Sequence, residues 1–465
     1  VTGAEKPWRS PWEAARTFLY PRADGGRDAD RLRRARVTTL TALAAHGTTI
    51  ATGFVSVPLT VGYLGPELYG VWLTIGSLLM WLAVTDLGFG GNALINALAD
   101  AHGRDDRELA REVVATAFWL LTAMAAILAA AFLLAVPHID WHRVFNVSSA
   151  VPASDLRSAA TLALFAFLLT FPLGVVTGIY HGYQEGYLSN AWTTAAGLAS
   201  LGALVTVTHF RGGLPLLVAA LWGVRVLVTL ASAVHVFGRH RPWLLPVPAR
   251  ATRRGAGRLA ALGGKYFAAQ LAGIAMFQSQ PMIVAQTLGP AQVGVFGVAY
   301  RLLSAPLLVV QVVSQPLMPA YGEARARGDW PWIRHTLMRS LWLALGVTVV
   351  LTVPLALVAK PLIILWAGPA LAPPPGLVWG LALYVIVAGC VTPASVMLYG
   401  LERVGGQALV GTLNAVATVV LGIWFTRIWG LSGMGAAMAV ALIAANPLAQ
   451  VFLIRQALKQ GHRTS

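Results

Sequence analysis

Twelve long apolar runs limit this chain more than any other feature. A hydrocarbon core about 30 Å thick is crossed by about 20 apolar residues in helical form. Runs of that kind fall at 39–63, 70–99, 114–136, 158–181, 187–209 and 214–238, then at 264–288, 293–320, 334–359, 376–400, 406–426 and 431–456. Only 11% of the 465 residues are charged, against about 25% in soluble domains. That is too little charge to cover a soluble surface, and the chain is too apolar to be disordered. The runs predict an all-α integral membrane protein. The first run reaches Leu64 and outlasts the core of a signal peptide, so it reads as a retained span. The single cysteine, Cys390, excludes an intramolecular disulfide or a cysteine-built zinc site.

The charge is lopsided, with 34 Lys and Arg against 18 Asp and Glu and a formal net charge of +16. In a soluble protein such an excess suggests nucleic acid; in a membrane protein it marks cytoplasmic loops. With the N-terminus in the cytoplasm, 27 basic residues fall on the cytoplasmic side, five fall outside (Arg143, Arg157, Arg211, Lys360, Arg427) and two lie within spans (Arg225, Arg301). The excess is therefore a topology signal, N-in and C-in, and no nucleic-acid partner is expected. The Arg31–Arg36 cluster also suits anionic lipid heads.

The chain repeats itself. Leu64-Gly-Pro-Glu-Leu-Tyr-Gly-Val71 is followed by Trp72, and Leu288-Gly-Pro-Ala-Gln-Val-Gly-Val295 by Phe296. The offset covers six spans, an even number, so both halves share one orientation about an axis along the membrane normal. The expected organisation is a basic cytoplasmic segment (1–38), an N-lobe of six spans (39–238), a basic inter-lobe linker (239–263), a C-lobe of six spans (264–456) and a cytoplasmic tail (457–465). Two such lobes without a large soluble domain suggest a secondary transporter with a midplane cavity. No Walker A pattern is present. No cofactor or metal is expected; His138-Ile-Asp-Trp-His142 reads as an interfacial turn.

Tyr63-Leu-Gly-Pro-Glu-Leu-Tyr-Gly-Val-Trp72 resembles a hallmark of the bacterial polysaccharide-exporter, or O-antigen flippase, family of the multidrug/oligosaccharidyl-lipid/polysaccharide (MOP) exporter superfamily. Asp86-Leu-Gly-Phe-Gly-Gly-Asn92 with Asn96, Ala97 and Gly103–Asp106 is similar to its next motif, and Leu288-Gly, Gly294 and Ala299-Tyr-Arg301 to its pattern after span 7. The resemblance implies a MATE-like architecture. It also implies a non-enzymatic flippase in the bacterial cytoplasmic membrane, moving a polyprenyl-diphosphate-linked oligosaccharide from inner to outer leaflet by alternating access. Other polysaccharide-assembly proteins are implied as partners beside the bilayer. Family members often carry an acid late in span 7; here Phe277-Gln-Ser-Gln-Pro281 has none, so no role of that acid carries over.

Charge inside a bilayer is costly and usually faces a wet cavity or a partner. Arg225 lies roughly 16 Å and Arg301 roughly 12 Å into their spans, at about 1.5 Å per residue. With Lys265 at the inner mouth of span 7, they suggest a cationic column for a diphosphate, which Arg engages as a bidentate fork. The plainer alternatives are an arginine paired with Asp86 or bonded to helix carbonyls, and a Lys265 that snorkels. Tyr300, Gln278 and Gln280 are weaker candidates for sugar contacts, since amides also join helices. Asp86 precedes Gly88, Gly90 and Gly91, where a helix break is expected with Asp86 as its cap. A His46–Asp86 pair would titrate near neutral pH, the alternative being a packing histidine. Pro306, Pro316, Pro319 and Pro354 read as kinks.

The competing functions are a MATE-type cation-coupled multidrug exporter, which would want an acidic cavity, and a membrane component of glycan assembly without transport. A polymerase or ligase would need a larger outside loop than 137–157.

Overall fold

The computed structural model describes residues 27–148, 151–210, 213–315, 317–401 and 403–464. Segment 1–26, Arg211, Pro316 and the side chains of Arg31–Arg36 and Lys265 lie outside the described residues.

The fold is all-α. In chain order the helices are α1 (Arg27–Ala83), α2 (Asn92–Gly103), α3 (Arg107–Ala135), α4 (Trp141–Phe145), α5 (Ala153–Gly182), α6 (Gly186–Phe210) and α7 (Gly213–His235). They continue as α8 (Arg253–Leu288), α9 (Pro290–Leu303), α10 (Ala305–Ser314), α11 (Leu317–Ala326), α12 (Trp330–Ala367), α13 (Pro375–Gly400), α14 (Val404–Ala445) and α15 (Pro447–Thr464).

Among the described residues, eight stretches are long and apolar enough to cross a membrane, and nine when the α9–α10 pair, bent by 42°, counts as one span. Two of the eight, Leu40–Asp86 with 47 residues and Gly405–Leu458 with 54, are each twice the length a span needs. Each turns back at a glycine, Gly65 in α1 and Gly430 in α14. With the 36-residue α8, this is a twelve-span, two-lobed membrane fold.

The two Leu-Gly-Pro sequences fold alike. Gly65 has φ 73° and ψ 170°, and Gly289 has φ 89° and ψ 163°. That region is essentially reserved for glycine, and each proline opens the next helical arm, where its missing N–H costs nothing. The turns lie at the same end of the molecule, here called the turn face. They also meet: a Cβ on Gly70 would collide with the Pro290 carbonyl oxygen, and one on Gly294 would stand 3.5 Å from the Pro66 carbonyl oxygen. The contact is reciprocal, as an internal two-fold requires.

The N-lobe core gathers Leu94, Leu98, Val113, Leu121, Leu156, Phe167 and Ile179. The C-lobe core gathers Val284, Phe296, Leu303, Ile363, Leu381 and Met434, and takes in Val57, Val61 and Tyr69 from α1. The lobes are thus joined at the turn face, where α1 packs on α9. Helix α8 begins at Arg253, within the basic segment 239–263, and packs on α2 and α3 as well as on α14.

Candidate functional site: the inter-lobe cavity

Below the turn face the lobes part around two adjoining chambers. The first, of about 530 Å³, is walled by the first arm of α1 from Thr49 to Thr60 and by α5, α6 and α7. The second, of about 670 Å³, is walled by α1, α9, α10, α13 and α14. Arg301 lines both.

Arg301 stands at the lobe boundary. It projects from α9 so closely onto α1 that a Cβ on Gly53 would overlap its guanidinium. Arg225 projects from α7 into the first chamber, its guanidinium carbon 5.7 Å from the ring centre of Trp222, within cation–π range. Both arginines are solvent-exposed, and neither has an ion-pair partner among the described residues. Pairing with Asp86 and bonding to helix carbonyls are both absent there. Among the described residues, neither chamber is lined by Asp, Glu or His. The cavity is therefore cationic, with donors free for an anion.

The other candidates divide. Tyr300, Gln278 and Gln280 meet in a recess of about 400 Å³ between α7, α8, α9 and the second arm of α1, and Tyr300 also lines the second chamber. Asp86 lies outside both chambers. The helix is interrupted from Val84 to Gly91, and the Gly90 N–H donates to Asp86 Oδ1 at 2.9 Å. Gly88 takes φ 76°, and Gly90 lies close to Leu121, where a Cβ would come within 3.2 Å of its side chain. His46 is exposed on α1 and makes no hydrogen bond to Asp86 among the described residues. Lys265 lies on α8, its side chain outside the description.

Sequence reasoning missed most of the cavity wall. The first chamber carries the hydroxyls of Thr52, Ser56, Ser189, Thr193, Ser200 and Thr229 together with Trp72 and Trp192. One signal was available: span 187–209 is only moderately apolar, and Gly186–Phe210 has a mean hydropathy of 1.3, where the neighbouring Ala153–Gly182 has 2.2. Of its polar residues, Ser189, Thr193 and Ser200 face the cavity.

A buried polar cluster behind this wall was also missed. Tyr180 accepts from Trp192 Nε1 at 3.1 Å and lies 3.1 Å from His235 Nδ1. His235 stacks on His240, which bonds Glu185 at 2.8 Å, and Arg241 donates to Glu185 at 2.7 Å. Arg241 lies 3.8 Å over the Tyr183 ring. Burial pushes the Tyr183 phenol up, against the pull of Arg241, so it stays neutral and offers its π face. The cluster ties the ends of α5, α6 and α7 together.

Twelve spans, an internal two-fold and a cavity between lobes joined at one face define a two-lobed, multi-pass membrane fold. The chain belongs to the polysaccharide biosynthesis protein family, whose model matches residues 38–325. No curated protein matches it significantly by sequence. Among solved structures it is similar to a multidrug resistance MATE family transporter of the MOP superfamily in its inward-facing conformation, with a TM-score of 0.78 at 15% identity over 90% of this chain and 96% of that one. The outward-facing conformation of such a transporter gives a TM-score of 0.60 at 16% identity, over 92% and 96%. The lipid II flippase MurJ, inward closed, gives 0.72 at 12% identity, over 91% and 90%. Those neighbours are transporters and a flippase by description, and this chain shares their fold as a multi-pass membrane protein.

Proposed function

We propose that this protein flips a polyprenyl-diphosphate-linked oligosaccharide from the inner to the outer leaflet of the bacterial cytoplasmic membrane by alternating access, N-in and C-in. The observation that carries the reading is the pair of unpaired arginines, Arg225 and Arg301, in a cavity without a lining carboxylate or histidine among the described residues. A diphosphate presents negative oxygens to guanidinium forks, and a cationic drug would meet only repulsion there. The hydroxyl and indole wall suits sugars. The basic excess at the face opposite the turns supports N-in, and the lobes joined at the turn face support a cavity that opens to the inner leaflet. Other glycan-assembly proteins are proposed partners.

The test is translocation of a fluorescent lipid-diphosphate oligosaccharide by purified protein in liposomes. Wild type should move it, and Arg301→Ala should lose about 10- to 100-fold in rate, the worth of a charge-assisted hydrogen bond. Wild-type rates in the variant, or export of cationic dyes by the wild type, would sink the reading.

A further inference from the structure

The second chamber is built from different chemistry than the first. Gln311, Gln315, Gln407 and Asn446 bring amides to it, Tyr300 and Tyr384 bring phenol rings, and Arg301 at its edge is its one charged lining residue among those described. Gln407 and Gln450 exchange side-chain bonds at 3.0 and 3.2 Å, and Gln450 also donates to Ser395 at 3.2 Å, so the Gln407 amide is fixed in place. Gln311 and Gln315 are exposed, free to reach a guest. Asn446 is only 6% exposed, at the break between α14 and α15 ahead of Pro447, and its Nδ2 has no hydrogen-bond partner among the described residues. Folded proteins rarely leave a buried amide unpaired, and such a group calls for a missing acceptor.

We propose that this chamber is the glycan subsite and takes the sugar next to the diphosphate, an inference that rests on the lipid-linked reading above. Sugar hydroxyls and acetamido groups both donate and accept, and amides answer in kind. Apolar and phenolic walls cover the C–H faces of a pyranose ring, and an uncharged guest needs no further ion. Arg301, shared by both chambers, fixes the diphosphate at the rim so that the sugar enters on the C-lobe side. A polyprenyl tail is a poor occupant, because it would leave these amides desolvated without partners.

The experiment measures binding to the full-length chain in nanodiscs, with bare polyprenyl diphosphate and with polyprenyl diphosphate bearing one N-acetylhexosamine. Wild type should prefer the sugar-bearing lipid by about tenfold, two or so net hydrogen bonds. Gln311→Leu with Gln315→Leu should erase that preference while leaving the affinity for the bare lipid unchanged, and Asn446→Leu should act in the same direction. The glutamines are exposed, so the double variant tests the subsite even if the asparagine variant fails to fold. Equal loss for both lipids, or no change for either, overturns the subsite. A wild type that binds neither lipid overturns the lipid-linked reading and the subsite with it.

Discussion

At residue scale, the proposed function turns on Arg301, which crosses from one lobe to lie on Gly53 of the other. Glycine at 53 is a matter of space: no other residue lets the guanidinium reach the helix backbone. Gly53→Ala should fold normally, because the colliding atoms belong to the end of a flexible side chain. It should nevertheless push Arg301 out of register and slow translocation about tenfold. An unchanged rate would show that Arg301 does not work from this position. Arg301→Lys should retain only part of the rate, since an ammonium is a point charge without the planar fork. Full activity in the lysine variant would argue for simple charge attraction.

At the scale of elements, the Leu-Gly-Pro turns carry both the repeat and the closure of one face. Gly65→Ala must hold a Cβ at φ 73° and ψ 170°, which should cost about 1–3 kcal/mol, read as a lowered thermal midpoint in detergent. Gly70→Ala should act differently, since its Cβ meets the backbone of Pro290, which no rotamer change relieves. It should part the lobes there, seen as new labelling of cysteines placed on the turn face. Glu185→Ala would strand Arg241 and His240 and should cost about 3 kcal/mol, as broken buried ion pairs do; an unshifted midpoint would show the cluster to be idle. The turns were legible in the sequence because glycine and proline impose backbone conformation locally, and the spans because apolar length is a local property. The Glu185 cluster was not, because its members lie about 55 residues apart and meet only through helix packing. The chamber amides were hidden likewise, since polar residues on apolar helices do not announce which face they occupy.

For the whole molecule, the proposed alternating access requires the turn face to open, and the bonds that close that face would have to let go. Beyond the reciprocal glycine contact, the loop after α4 reaches across the lobe boundary. The Asn146 side chain donates to the carbonyls of Ala285 and Gln286 at 3.0 and 3.3 Å, at the end of α8, where the Gly289 N–H also donates to Ala285. Gln286 donates back to the Val144 carbonyl at 2.5 Å, and within the N-lobe the Ser148 N–H donates to Glu67 at 2.9 Å and anchors the loop. These groups are partly exposed, so water can replace each bond at a net cost of only about 1 kcal/mol, small enough for a gate that must cycle. The native chain has one cysteine, Cys390, so an Asn146→Cys, Gln286→Cys pair on a Cys390→Ala background can be joined by a short bis-maleimide. Joining them should stop lipid translocation while leaving binding of the head group from the opposite side intact. The single-cysteine controls should run at the uncrosslinked rate. A crosslinked protein that still translocates at full speed would mean that the lobes do not separate at this face, and the substrate would have to leave by another route.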